Sequence, residues 1–144
     1  MQHVQTRSTT SALVLTAVLI ALATLFTMYT KIPVPGIRGY FNVGDVVIMT
    51  SALLLGRKYG AYIGAIGPAL ADLFLGYAVF VPITFVVKGI EGYLVGAVYN
   101  NKTTTSALVA TIVGGIIIVA GYFIAEYFVF DPGVAIASIV TNTI

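Results

Sequence analysis

The chain has no cysteine and no tryptophan, one histidine, and only 8% charged residues among its 144 positions. Without cysteine there is no disulfide, no thiol nucleophile and no thiolate metal site, and the redox compartment leaves no mark. The single histidine, His3, falls in a polar N-terminal tail where water solvates it. A net charge of +2 without any basic run excludes the electrostatic footprint of a nucleic-acid binder. The HExxH, GxSxG and phosphate-loop signatures are all missing, so no enzyme is expected. No cofactor or metal site is expected either. Lacking a nucleotide site of its own, a chain of this kind pumps a solute only if a partner supplies the energy.

What is present is apolar. Hydrophobic residues make up 59% of the chain, and the mean hydropathy is +1.03. A soluble domain carries about 25% charged residues, so the solvent for this surface is lipid. One integral membrane domain covering residues 1–144 is expected. The first apolar run is long and lacks a small-residue cleavage site, and it reads as a retained span rather than a signal peptide.

The runs divide the chain. Residues 12–30 carry no charge, and about 20 residues cross a bilayer as a helix. Within this first span Ala17 and Ala21 form a small-xxx-small pair, suited either to packing inside the protein or to docking a separate membrane subunit. Residues 31–44 hold Pro33, Pro35, Gly36 and Gly39 and cannot be helical. They form a long loop that closes on Tyr40, Phe41 and Asn42 and is placed to cap a pocket. The second span, over 46–56, reaches only about 16 Å. It begins at Gly44 or Asp45, partly below the membrane surface, with Asp45 capping its first turn. Arg57-Lys58 reads as a basic turn. The third span, 59–76, repeats small residues at Gly60, Gly64, Gly67 and Ala71 and is bent by Pro68. A break at Gly76-Tyr77 precedes a fourth span from Pro82 to about residue 100, in which Gly92 and Gly96 make a second close-packing pair. After a polar turn, a fifth span covers 107–125. Asp131-Pro132-Gly133 is a further turn signal, and 134–144 make a short sixth segment. The fold class expected is therefore an all-α membrane protein, a bundle of six transmembrane helices whose sixth is short or truncated. Arg7, Arg57, Lys58 and Lys102 fall on one side of six crossings and Lys31 and Arg38 on the other, which predicts cytoplasmic termini.

Four ionisable residues fall inside spans: Asp72, Lys88, Glu91 and Glu126. Each costs roughly 2.5–3.5 kcal/mol at mid-membrane, and such residues normally face the bundle interior and mark function. Lys88 and Glu91 are three apart on one helix face, as Tyr122 and Glu126 are four apart. Lys88 can pair with Glu91 or, across the bundle, with Asp72. A structural salt-bridge network, a proton or ion relay and a ligand site all remain open. Aromatic residues favour the ligand site: Tyr40, Phe41, Tyr77, Phe80, Phe85, Tyr93, Tyr122 and Phe128 offer flat surfaces near the charges, on which a planar heterocycle stacks while carboxylates, an amide and an ammonium fix its polar edge.

Three segments together, Tyr40-Phe41-Asn42-Val43-Gly44-Asp45, the glycine-rich third span with Ala71-Asp72, and Lys88-Gly89-Ile90-Glu91-Gly92, resemble the substrate-binding S components of energy-coupling factor (ECF) vitamin transporters. The likeness is to the riboflavin, hydroxymethylpyrimidine and pyridoxine branch and covers roughly residues 12–144. It implies high-affinity capture of a vitamin from outside the plasma membrane of a prokaryote. The partners implied are a membrane-embedded coupling (T) subunit and two cytoplasmic ATPases. Ala17 and Ala21 match the family's docking stripe. Asn42, Lys88, Glu91, Tyr122, Glu126 and Asn142 match its ligand contacts, beside Tyr40 and Asp72 from the polar cluster. The short sixth segment departs from the family pattern. A stand-alone ion- or proton-coupled carrier or channel is the alternative reading.

Overall fold

The computed structural model describes residues 9–30, 32, 33, 40, 41, 43–99, 103–133, 135, 136 and 139. The order is α1 (Thr9–Tyr29), β1 (Ile32–Pro33), β2 (Tyr40–Phe41), α2 (Gly44–Leu55), α3 (Arg57–Phe74), α4 (Phe80–Val98) and α5 (Thr104–Val129). Among the described residues the regular structure is helical apart from one two-residue antiparallel ladder, in which Ile32 faces Phe41 and Pro33 faces Tyr40. Helix is what lipid demands, because it satisfies every backbone polar group within the segment.

Three helices, α1, α4 and α5, are long and apolar enough to cross a membrane, and α2 is a shorter apolar helix. Beyond Asp131, residues Pro132, Gly133, Ala135, Ile136 and Ile139 are helical. The described residues thus contain five helices, and the expected count of six is not reached among them. The more polar α3 owes its tolerance of charge to its place. It lies against α1, α2 and α4, and it buries Gly60, Ile63, Gly64, Ala65, Gly67, Pro68, Ala69, Ala71 and Asp72. Neighbouring helices rather than its own side chains shield it from lipid.

The glycine periodicity read from α3 is real, but its use is internal. A Cβ at Gly60 would strike Ala52 of α2 and the Gly92 carbonyl of α4, one at Gly64 the Lys88 carbonyl, and one at Gly67 the Ala23 side chain of α1. Steps of three and four along α3 are matched by steps of four back along α4: Arg57 lies against Gly96, Gly60 against Gly92 and Gly64 against Lys88. This is the antiparallel close approach that small residues permit. Thr24 reinforces the α1 contact by donating across to the Gly67 carbonyl at 2.9 Å. Ala17 and Ala21 are exposed.

Two local expectations are corrected. The turn after α2 is made by Gly56, at φ +85°, and not by Arg57-Lys58, which open α3. Glycine alone takes that left-handed conformation without strain. The fifth helix starts at Thr104 rather than Ala107, because the Thr103 hydroxyl caps it by accepting from the Ser106 amide at 3.2 Å. The helix α3 runs on through Pro68, and Gly76, at φ +81°, makes the turn toward α4.

Candidate functional site

On α4, Thr84, Lys88 and Glu91 recur at helical spacing and are all buried. The face they make is the polar face of an otherwise apolar helix, and it is turned inward. Three neighbours answer it. Asp45, in the first turn of α2, accepts from Lys88 Nζ at 2.5 Å. Asp72, in the last turns of α3, accepts from the Thr84 hydroxyl at 2.5 Å. Tyr122 of α5 shares a hydrogen bond with the same hydroxyl at 2.9 Å.

Lys88 is the centre of the group. Its ammonium also lies 3.3 Å from Glu91 Oε2 and 5.8 Å from the centroid of the Tyr122 ring, within cation–π range. Side-chain exposure is 4% for Lys88, 26% for Asp45 and 0% for Glu91. Neither Glu91 oxygen makes a hydrogen bond among the described residues. Glu126, one turn beyond Tyr122, is buried at 2% exposure. Two of the chain's five acidic residues, Asp45 and Glu91, therefore face the one buried lysine, and a third, Asp72, meets the same helix face through Thr84.

The geometry fixes a depth. Lys88 is two turns into α4, about 12 Å from its start at 1.5 Å per residue. Asp45 meets it from the first turn of α2. So α2 begins below the start of α4. The Val43 amide ties the end of that connection to α1 by donating to the Thr30 hydroxyl at 2.9 Å.

The sequence-predicted residues divide. Asp72, Lys88, Glu91 and Tyr122 come together around the Thr84–Lys88–Glu91 face of α4, and Glu126 is buried one turn beyond Tyr122. Tyr40 is described by its backbone alone, and Asn42 and Asn142 lie outside the described residues. Lys88 pairs with Glu91 as one expectation had it; Asp72 bonds Thr84 instead of Lys88. Asp45 does not cap its helix, since its carboxylate turns to Lys88, and α2 has no side-chain cap. The aromatic set contributes less than expected. Phe85, Tyr93 and Phe128 are exposed on the outside of the bundle, Phe80 stacks on Phe130, and Tyr122 is the ring that reaches the charges. A cavity of about 750 Å³ on α5, lined by Ile112, Ile116, Val119, Phe123 and Ile139 among others, is apolar and apart from the charged group.

Asp45 and Thr84 were not singled out as site residues. Thr84 had a signal, lying one turn before Lys88 on the same stripe. Replacing Thr84 by valine is expected to remove two buried hydrogen bonds and lower stability by about 1–3 kcal/mol, measured as thermal unfolding in detergent. A melting midpoint equal to that of the natural protein would show that the Thr84 bonds hold nothing.

The family described as the S component of the ECF-type riboflavin transporter matches residues 7–144. A Pyrococcus woesei protein, known only as an uncharacterized protein in a gap 3′ region, is 42% identical over 117 residues, covering 79% of this chain and 77% of that one. The thiamine precursor transporter HmpT of Lactococcus lactis subsp. cremoris is 30% identical over 130 residues, covering 90% of this chain and 72% of HmpT. The chain belongs to the S components of ECF-type riboflavin transporters, a family of transporter subunits and not of enzymes.

Proposed function

We propose that this chain is the high-affinity binding subunit of an ATP-driven ECF importer, taking a vitamin or vitamin precursor from outside a prokaryotic cell. The observation that carries the reading is Glu91: a carboxylate fully buried beside Lys88, with hydrogen-bonding capacity left unmade, in a chain of this family. A buried acceptor without donors costs about 1–3 kcal/mol, and more when charged, and a bound heterocycle offering N–H or O–H groups recovers it. The residues assigned to the ligand are Tyr40, Asn42, Asp72, Lys88, Glu91, Tyr122, Glu126 and Asn142.

In this reading the ligand enters from the outside, and the connection between α1 and α2 closes over it. A membrane-embedded coupling subunit docks on α1 at Ala17 and Ala21, whose exposure supports that role over internal packing. Two cytoplasmic ATPases drive the bundle to tip and turn the pocket inward. The termini are cytoplasmic, with the basic residues near them. The segment after Asp131 is assigned to a short or truncated sixth crossing.

Mass spectrometry of small molecules retained through purification, followed by isothermal titration with hydroxymethylpyrimidine, riboflavin and pyridoxine, tests the reading. One of them is expected to bind with one molecule per chain. If none binds, and the isolated protein in liposomes takes up solute on a proton gradient alone, a stand-alone carrier replaces it.

A further inference from the structure

The charges around Lys88 specify the charge of the ligand. We infer that Asp45 is a specificity-determining residue: with Glu91 it neutralises Lys88, so that the site takes a neutral or cationic heterocycle and rejects its phosphate ester. The inference rests on the function proposed above and deepens it.

Two independent observations support it. The first is the lysine's pairing. Its ammonium has three N–H donors, of which Asp45 takes one at 2.5 Å, while Glu91 Oε2 stands 3.3 Å away. A donor remains for a neutral acceptor such as a ring nitrogen or hydroxyl. No net positive charge remains for a phosphate, because two carboxylates already face the one cation. The second is Glu91 itself. Both its oxygens are fully buried and free of hydrogen bonds among the described residues. They call for donors, which amino and hydroxyl substituents supply and a phosphate dianion does not. Asp72, buried against Thr84 one turn from Lys88, adds to the negative field. Like charges brought together at a desolvated site cost several kcal/mol.

Asp45 differs from the other acids in position. It is partly exposed and stands at the start of α2, where the connection from α1 ends. Its removal leaves the buried face of α4 intact while unmasking the lysine.

The test is a comparison of paired probes on the purified full chain: hydroxymethylpyrimidine, pyridoxine and riboflavin against their monophosphate esters, by isothermal titration. The natural protein is expected to bind the unphosphorylated member of one pair at least about tenfold more tightly than its ester. Asp45→Asn is expected to shrink that ratio by about tenfold, chiefly by gaining affinity for the ester. Asp45→Glu, which keeps the charge, is expected to keep the ratio. Equal binding of both members by the natural protein overturns the inference and leaves the transport reading standing, as does an unchanged ratio in a folded Asp45→Asn. Failure to bind any of the six probes overturns both. The comparison on the natural protein decides the matter even if Asp45→Asn does not fold.

Discussion

Replacing Lys88 by methionine is expected to abolish measurable ligand binding and to destabilise the protein together. The ammonium is buried and sits between Asp45 and Glu91 at 2.5 and 3.3 Å. Methionine keeps most of the length and removes the charge, so two carboxylates are left facing each other with no cation. Breaking a buried ion pair from one side costs about 3–5 kcal/mol, because the remaining charge is uncompensated. That is a large share of a marginal total. Affinity is expected to fall by more than about 100-fold, equivalent to about 2.7 kcal/mol. The single variant does not separate a ligand site from a structural network, since both readings predict harm. The neutral triple variant does. With Asp45→Asn and Glu91→Gln added, nothing charged is left unpaired, and replacing a whole buried ionic group is often neutral for stability. Thermal midpoints in detergent are expected to recover and binding is not. A folded triple variant that still binds the ligand at the natural affinity would mean that these charges serve the fold alone.

That distinction was already visible in the sequence, but only in part. Lys88 and Glu91 declare themselves because a charge inside an apolar run has to be explained, and their spacing of three puts them on one helix face. What no local pattern contains is the partner. Asp45 reads as a helix cap from its neighbours, and an acid at the start of a short helix has that role more often than not. Its true contact is 43 residues away on α4, and only the packing of α2 against α4 reveals it. Thr84 is an intermediate case: the stripe it shares with Lys88 was there to be read, but a threonine in a membrane helix commonly bonds its own backbone, as Thr16 does to the Ala12 carbonyl. The aromatic residues were misjudged for a related reason. Phe85 and Tyr93 are near the charges in sequence, yet both are exposed on the outside of the bundle.

The fold was legible where lipid simplifies the problem. Long uncharged runs become helices because no other open structure survives there, and α1, α4 and α5 follow. The second helix is short and begins at Gly44, as its sequence indicates. Boundaries failed where a single residue's backbone decides. The basic pair Arg57-Lys58 drew the turn toward itself, while Gly56 supplied the positive φ that makes it.

The glycines of α3 form the close-packing face that their spacing suggests, and they yield a sharp stability prediction. Spacing alone suits a smooth face turned toward a partner subunit as well as one turned toward the protein's own helices. In the structure a Cβ on Gly64 would overlap the Lys88 carbonyl oxygen, with the carbonyl carbon at 3.0 Å and Ile48 Cγ2 at 3.1 Å. Helix propensity favours alanine over glycine by up to about 1 kcal/mol. Overpacking a tight contact costs about 1–3 kcal/mol and occasionally more. Here the obstacle is backbone and cannot rotate away, so the loss is expected to win. Gly64→Ala should lower the thermal midpoint, and by pushing α3 off α4 at the level of Lys88 it should weaken ligand binding as well. Gly115 on α5 is the control, since a Cβ there meets nothing within 4 Å. Gly115→Ala should leave stability unchanged or raise it by a few tenths of a kcal/mol. The same added methyl group, on two helices of one bundle, then moves stability in opposite directions. If Gly64→Ala instead proves as stable as Gly115→Ala while uptake by the assembled transporter fails, the α3 face is open in the protein and a partner, not α4, is what it was shaped to meet.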